Sequence, residues 1–139
     1  MINIKNKEQL EEFIWENKDK VVVIYFGSEF CNPCKTLKNK LTSVEVISTM
    51  RNLVIGYVDI NSKENQGILE LYKISSIPVQ SFVTLKGTQI VEIKRIIGYD
   101  WINFTMTYNL IINDMSNKND MSNKNDTENI NNMMNNFTL

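Results

Sequence analysis

The segment 21–26 reads Val-Val-Val-Ile-Tyr-Phe, and no charged residue interrupts its β-branched and aromatic side chains. Such a run predicts a strand that is buried on both faces, since a strand with one wet face would alternate apolar and polar residues. Strands of this kind are typical of the parallel sheets of α/β proteins. Gly27 and Ser28 end the run, so the next segment leaves from the end of a buried strand.

Extended and helical patterns alternate around this strand. The predicted elements are, in chain order, a short first strand, a helix over 8–17, the strand 21–26, a helix after residue 34, a strand over 53–60, a short helix over 65–72, a hairpin of strands 79–85 and 89–97, and a helix over 99–112. The helix after residue 34 is predicted to break near 42, because Thr42 and Glu45 have capping-box spacing. The order βαβαβαββα predicts an α/β domain with a mixed sheet whose last two strands are antiparallel.

Aromatic residues on the apolar faces of these elements are predicted to belong to the core rather than to a site. They are Phe13, Trp15, Phe82, Trp101 and Phe104.

The composition changes at residue 113, where Asn-Asp-Met-Ser-Asn-Lys begins and is repeated at 119–124 before an Asn-rich end. Such a tract buries too little apolar surface to offset the entropy of ordering it. We therefore predict one domain over 1–112 and a disordered tail over 113–139. The alternative is a docking helix built from the apolar residues of the tail, which are Met115, Met121, Met133, Met134 and Phe137.

Charge and hydropathy exclude several kinds of partner. The chain has 15 basic and 16 acidic residues spread along its length, a balance that gives no electrostatic footprint for nucleic acid or an anionic membrane. No apolar run reaches the roughly 18 residues of a membrane span, and residues 1–8 lack the apolar stretch of a secretory signal. We expect a cytoplasmic monomer that binds neither nucleic acid nor membrane.

Cys31 and Cys34 are the only cysteines, and the chain has no histidine. One close pair cannot make the several bridges of a small secreted scaffold, which leaves catalysis or metal binding. A zinc or iron-sulfur site needs about four ligands, so metal would require carboxylates or a second subunit, and none is expected. A purely structural role for the two cysteines, as small buried apolar residues, is disfavoured, because Pro33 between them fits the first turn of a helix.

A Cys-x-x-Cys pair at the start of a helix can carry out disulfide exchange. The unpaired N–H groups and the dipole of the helix favour the thiolate of Cys31. That thiolate attacks a substrate disulfide, and Cys34, one turn along the helix, then attacks Cys31 and releases the reduced substrate. The pair itself is the redox group, so no other cofactor is expected.

Three segments together resemble the thioredoxin family. Residues 30–35, Phe-Cys-Asn-Pro-Cys-Lys, are similar to the Trp-Cys-Gly-Pro-Cys-Lys of thioredoxins, and Ser76-Ile77-Pro78 resembles the family segment whose cis proline faces the active cysteines. Gly98 is similar to a late glycine of the family. The resemblance covers 1–112 and implies a three-layer sandwich, a mixed central sheet with helices on both faces.

The resemblance implies a protein-disulfide reductase with disulfide-containing client proteins and a reductase as electron donor. The backbone of Ile77 would pair with an extended substrate strand beside Pro78. The other residues implied in substrate binding are Phe30, Asn32, Pro33 and Gly98. Several of the surrounding positions depart from the family, with Gly27 and Phe30 in place of tryptophans, Asn32 in place of glycine and Asn39 in place of a proline. The apolar surface around the site is therefore smaller, and the subfamily stays open.

Two further departures concern proton transfer. Tyr25 stands where thioredoxins have a buried aspartate that is thought to move the proton of the resolving thiol, and Tyr57 stands where they have its lysine partner. Both tyrosines are interpreted as core residues whose hydroxyls find local partners. Asp59 is a possible replacement base, because it follows Tyr57 by two residues on a strand and shares its face. Without a matched base, we predict slower resolution by Cys34.

Two readings of the function remain. One is a reductase with catalytic turnover, and the retention of both cysteines favours it. The other is a thioredoxin-like binding module or redox sensor with little turnover, and the loss of the aspartate and the tryptophans favours that hypothesis. A disulfide-forming oxidase or isomerase is a further possibility. Ile77 before Pro78 and the absence of a signal segment favour reduction.

Overall fold

The computed structural model describes residues 1–120, so the part of the predicted tail beyond residue 120 lies outside the described residues. The elements, in chain order, are β1 (Ile2–Ile4), α1 (Lys7–Glu16), β2 (Val21–Gly27), α2 (Asn32–Leu41), α3 (Val44–Thr49), β3 (Leu53–Asp59), a 3₁₀ turn (Lys63–Asn65), α4 (Gln66–Leu71), β4 (Val79–Lys86), β5 (Gln89–Ile97) and α5 (Trp101–Asp120).

These elements form one mixed sheet of five strands in the order β1-β3-β2-β4-β5. β3 is parallel to both β1 and β2, whereas β4 is antiparallel to β2 and to β5. Every residue of β2 is buried, because this strand has a neighbour on each side and helices above and below. The predicted α/β architecture, including the antiparallel last pair, is confirmed.

Two apolar clusters flank the sheet and make it the middle of three layers. One cluster joins Val21, Val23 and Tyr25 to α2, α3 and α5, and the other joins Val22, Ile24 and Phe26 to α1 and α4. Alternate residues of β2 thus face opposite layers, as the pleat of a strand requires. The unbroken apolar run of this strand follows from that double burial.

The helix after the cysteines breaks where the capping signal predicted. α2 ends at Leu41, and α3 begins at Val44. The capping side chain is Ser43, whose hydroxyl accepts the N–H of Val46 at 3.3 Å. Thr42 instead donates its hydroxyl to the carbonyl of Lys38 at 2.8 Å, so the predicted break is confirmed and the predicted cap is wrong by one residue.

The last helix is longer than its sequence predicts, because α5 continues past Ile112 to Asp120. Met115 packs against the cluster that contains Phe104 and Ile111, and Asp114 pairs with Lys118 at 3.2 Å across one turn. These contacts extend the helix into the first Asn-Asp-Met-Ser-Asn-Lys repeat. No helix within residues 1–120 is long and apolar enough to cross a membrane.

The predicted aromatic core is confirmed at three positions and wrong at one. Phe13, Phe82 and Phe104 are buried, and Trp101 is partly buried with its ring stacked on Phe104. Trp15 is 52% exposed. The buried face of α1 is formed by Leu10, Phe13 and Ile14, and a residue directly after Ile14 points about 100° away from it.

Candidate dithiol site

The cysteine pair lies at the junction between the end of β2 and the start of α2. Cys31 is the N-cap of α2, and its sulfur accepts the backbone N–H of Cys34 at 3.3 Å. Pro33 occupies the first turn of the helix. The two sulfurs are joined as a disulfide, with the Cα atoms 5.1 Å apart.

The two cysteines differ in their access to solvent. Cys31 is partly exposed, whereas Cys34 is only 1% exposed. A bulky disulfide can therefore reach Cys31 but not Cys34. When the pair is reduced, the N–H of Cys34 and the N-terminus of α2 would stabilise a thiolate on Cys31. The arrangement is suited to attack by Cys31 followed by resolution by Cys34.

Ile77, Pro78 and Gly98 lie at the same end of the sheet as the cysteines. The Ile77–Pro78 peptide bond is cis, and the residue after it, Val79, pairs with Phe26 near the end of β2. Gly98 follows β5 and donates its N–H to the carbonyl of Pro78 at 2.8 Å. Its φ of +87° is an angle that glycine adopts without strain. Pro78 is buried and Ile77 is half-buried.

The other predicted substrate contacts lie on the surface beside Cys31. Asn32 and Pro33 are exposed, and Phe30 is 87% exposed. The N–H of Phe30 donates to the hydroxyl of Ser28 at 3.2 Å, which fixes the short loop between β2 and α2. Phe30 thus presents an apolar ring to solvent next to the accessible sulfur.

Tyr25 touches the buried cysteine, a contact that the sequence did not reveal. Its hydroxyl donates to the backbone carbonyl of Cys34 at 2.9 Å, and its ring packs on that of Tyr57 with centroids 5.1 Å apart. Burial, and to a lesser degree Tyr57, raise the pKa of Tyr25 well above its usual range. The hydroxyl therefore stays protonated and acts as a donor.

A cavity of about 660 Å³ borders the buried side of the site. Its wall includes Cys34, Tyr25 and Tyr57, and the charged residues around it are Lys5, Glu29, Lys35, Lys38 and Asp59. Ser28, Asn65 and Met1 also line it. The sequence gives no signal for this cavity, because its wall is formed by segments that are distant in the chain.

A protein-family model described as thioredoxin matches residues 1–99 of the 139. The chain belongs to the thioredoxin family. It is 32% identical to thioredoxin-T of Drosophila melanogaster over 90 residues, which are 65% of this chain and 54% of that protein. It is 31% identical to the thioredoxin of Chlamydia caviae over 98 residues, 70% of this chain and 85% of that protein.

More distant similarities agree with this assignment. Monothiol glutaredoxin-4 of Saccharomyces cerevisiae is 28% identical over 94 residues, 67% of this chain and 37% of that protein. This chain thus spans about half the length of the first curated relative and less of the yeast one. The thioredoxin of Trichomonas vaginalis has the same fold, with a TM-score of 0.69 at 23% identity over 78% of this chain and 95% of that one.

Within the thioredoxin family, two departures of this chain are physically linked. A Cβ built on Gly27 would lie 2.7 Å from the hydroxyl oxygen of Tyr25 and 2.9 Å from its Cζ. The tyrosine side chain therefore fills the space above Gly27, and a tryptophan cannot occupy that position beside it. The signal in the sequence was the spacing of two residues, which places both on one face of β2.

No group of three or more histidine, cysteine, aspartate or glutamate residues that could hold a metal ion occurs in the described part of the chain.

The raised pKa of the partly buried Tyr57 predicts how the stability of the protein changes at alkaline pH. Burial, followed by Asp59 and Glu29, raises the pKa of Tyr57 from about 10 to about 12. Between these values the unfolded chain loses the phenolic proton and the folded chain keeps it, so the free energy of unfolding should fall as pH rises from about 10 to about 12. Urea titrations at several pH values measure this fall. The Tyr57→Phe variant should show a shallower decline, and an unchanged slope would contradict the assignment.

Proposed function

We propose that this protein is a thiol-disulfide oxidoreductase that reduces protein disulfides through the motif Cys31-Asn32-Pro33-Cys34. The observation that carries the proposal is the geometry of the pair. The partly exposed sulfur of Cys31 caps α2 and accepts the N–H of Cys34, while Cys34 is buried within bonding reach of it. One sulfur can be attacked from outside and the other can act only on its neighbour.

The electrons balance over two steps. The Cys31 thiolate attacks one sulfur of the substrate disulfide, and the other substrate sulfur leaves with the bonding pair and takes up a proton. Cys34 then loses its proton and attacks Cys31, which breaks the mixed disulfide and releases the second substrate thiolate. The substrate gains two electrons, and the protein is left with the Cys31–Cys34 disulfide.

Extended segments of disulfide-containing proteins are the proposed clients. Pro78 and Ile77 lie beside the end of β2 from which the cysteine loop leaves, and Phe30 offers an exposed apolar ring on the same side. An extended client chain would pair with the backbone of Ile77 and cover Phe30, Asn32, Pro33 and Gly98.

A reductase is proposed as the partner that returns the pair to the dithiol. A ferredoxin:thioredoxin reductase bound to thioredoxin f2 forms a solved complex in which the thioredoxin has the fold of this chain, with a TM-score of 0.62 at 20% identity over 76% of this chain and 88% of that one. We propose further that the protein works as a monomer in the cytoplasm, where reductants keep such pairs reduced, and that the pair needs no additional cofactor.

Turnover of insulin disulfides with dithiothreitol as reductant tests the proposal. The wild-type protein should shorten the time to precipitation of the free B chain in proportion to its concentration. The comparison is dithiothreitol alone at the same concentration. If the wild type gives no acceleration although Cys31 and Cys34 oxidise readily to one another, the binding-module reading replaces the reductase.

A further inference from the structure

Cys34 must lose a proton before it can attack, and its surroundings offer few groups that could accept one. The tyrosine that contacts it is a neutral donor, because burial keeps the pKa of Tyr25 high. Among the residues that line the cavity beside Cys34, the carboxylates are Glu29 and Asp59. A base must reach the proton of the Cys34 thiol directly or through one water. Glu29 and Asp59 are therefore the two candidate bases that line this cavity.

The register of the sheet places Asp59 on the same face as Tyr25, which contacts Cys34. Asp59 pairs with Gly27 across β3 and β2, and neighbouring strands lie about 4.8 Å apart. The space above Gly27 is filled by the hydroxyl end of Tyr25, which donates to the carbonyl of Cys34. Because paired residues project to the same face, Asp59 stands one strand away from a group that touches the resolving cysteine.

Asn65 has an unpartnered buried acceptor and lines the cavity next to Asp59. This residue is 1% exposed, lines the cavity, and donates its amide to the backbone carbonyl of Asp59 at 3.1 Å. Its carbonyl oxygen accepts no hydrogen bond from any group in residues 1–120. A buried acceptor is almost always satisfied, and a water molecule in the cavity is the donor that fits.

We propose that Asp59 accepts the proton of Cys34 through a water molecule in this cavity when the mixed disulfide is resolved. The proposal rests on the function proposed above. The proton of the thiol passes to the water, which gives a proton to the Asp59 carboxylate. The electron pair left on the Cys34 sulfur forms the bond to Cys31, and the substrate sulfur departs with the pair of the broken bond. Asp59 then returns its proton to solvent.

Asp59 is better placed for this step than Glu29. Asp59 is half-buried, and its Oδ1 accepts the N–H of Asn61 at 2.9 Å, which holds the side chain in one orientation. Glu29 is exposed at the rim of the cavity. Lys35 and Lys38 also line the cavity and place positive charge beside the two carboxylates.

Stopped-flow reaction of the reduced protein with Ellman's reagent separates the two chemical steps. Attack by Cys31 releases one coloured thiolate, and resolution by Cys34 releases the second. The Asp59→Asn variant should slow the second release about tenfold at neutral pH, less than the roughly 100-fold at the low end for a general base, because solvent competes. The first release should stay within about twofold of wild type, since Cys31 does not use this base. Glu29→Gln is the matched control and should leave both releases unchanged.

Chemical rescue distinguishes a proton acceptor from a structural residue. Added acetate should restore the second release in Asp59→Ala in proportion to its concentration, because a small carboxylate fits a cavity of about 660 Å³. The proposal is overturned if Asp59→Asn keeps its rate of second release, if it slows both releases equally, or if acetate restores nothing. If the wild type itself releases only one thiolate, the proposed reductase function fails instead.

Discussion

The Cys31→Ser variant is expected to lose insulin reduction by at least about 1000-fold, while Cys34→Ser is expected to stop after a single attack. A serine hydroxyl does not ionise at neutral pH and cannot replace the thiolate that caps α2. Without Cys34 the mixed disulfide on Cys31 has no internal nucleophile, so it persists until an external thiol attacks it. The two variants therefore fail at different steps, and only one of them accumulates a covalent complex.

Non-reducing electrophoresis and mass spectrometry of the pre-reduced variants, freed of dithiothreitol and mixed with insulin, measure this difference. Cys34→Ser should carry one insulin chain as an adduct that dithiothreitol removes, and Cys31→Ser should carry none. The control is Ser28→Ala, a change in the same loop that leaves both sulfurs in place and should still turn over. An adduct on Cys31→Ser, together with none on Cys34→Ser, would show that the two roles are reversed.

The fold could be predicted from the sequence because its strongest signals are local. The apolar run 21–26 identified the central strand, and the change of period after Cys34 identified the helix that follows it. The end of α5 could not be predicted in the same way. Its extension to Asp120 depends on the packing of Met115 against the core cluster that contains Phe104 and Ile111, whereas the composition from residue 113 onward favoured disorder over a helix.

The site was predictable where its residues are close in sequence and less so where distant segments meet. The positions of Cys31, Pro33 and Cys34 on a helix start followed from spacing alone. The hydrogen bond from Tyr25 to the Cys34 carbonyl joins a strand to a helix, and the cavity near Asp59 is lined by separate segments between Met1 and Asn65. From the sequence, Tyr25 could be identified only as a departure from the family, and the contact that its hydroxyl makes could not be predicted.

That departure leads to the second large expected effect, at Gly27. The Gly27→Ala variant should lose about 2 kcal/mol of unfolding free energy, because overfilling a packed core costs about 1–3 kcal/mol. The new methyl carbon would lie within 3 Å of two atoms of the Tyr25 ring and hydroxyl. Tyr25 is 2% exposed and packed on Tyr57, so it cannot move aside without breaking its hydrogen bond to Cys34.

Gly67→Ala is the matched control, since it makes the same chemical change in α4 where nothing lies within 4 Å of the added carbon. There alanine should stabilise the protein by up to about 1 kcal/mol through helix propensity. A double-mutant cycle with Tyr25→Leu identifies the cause, because a shorter side chain leaves room for the methyl group. Gly27→Ala should then cost less than about 0.5 kcal/mol in that background. If urea unfolding gives the same cost in both backgrounds, Tyr25 is not what requires glycine at this position, and the two departures from the family are independent.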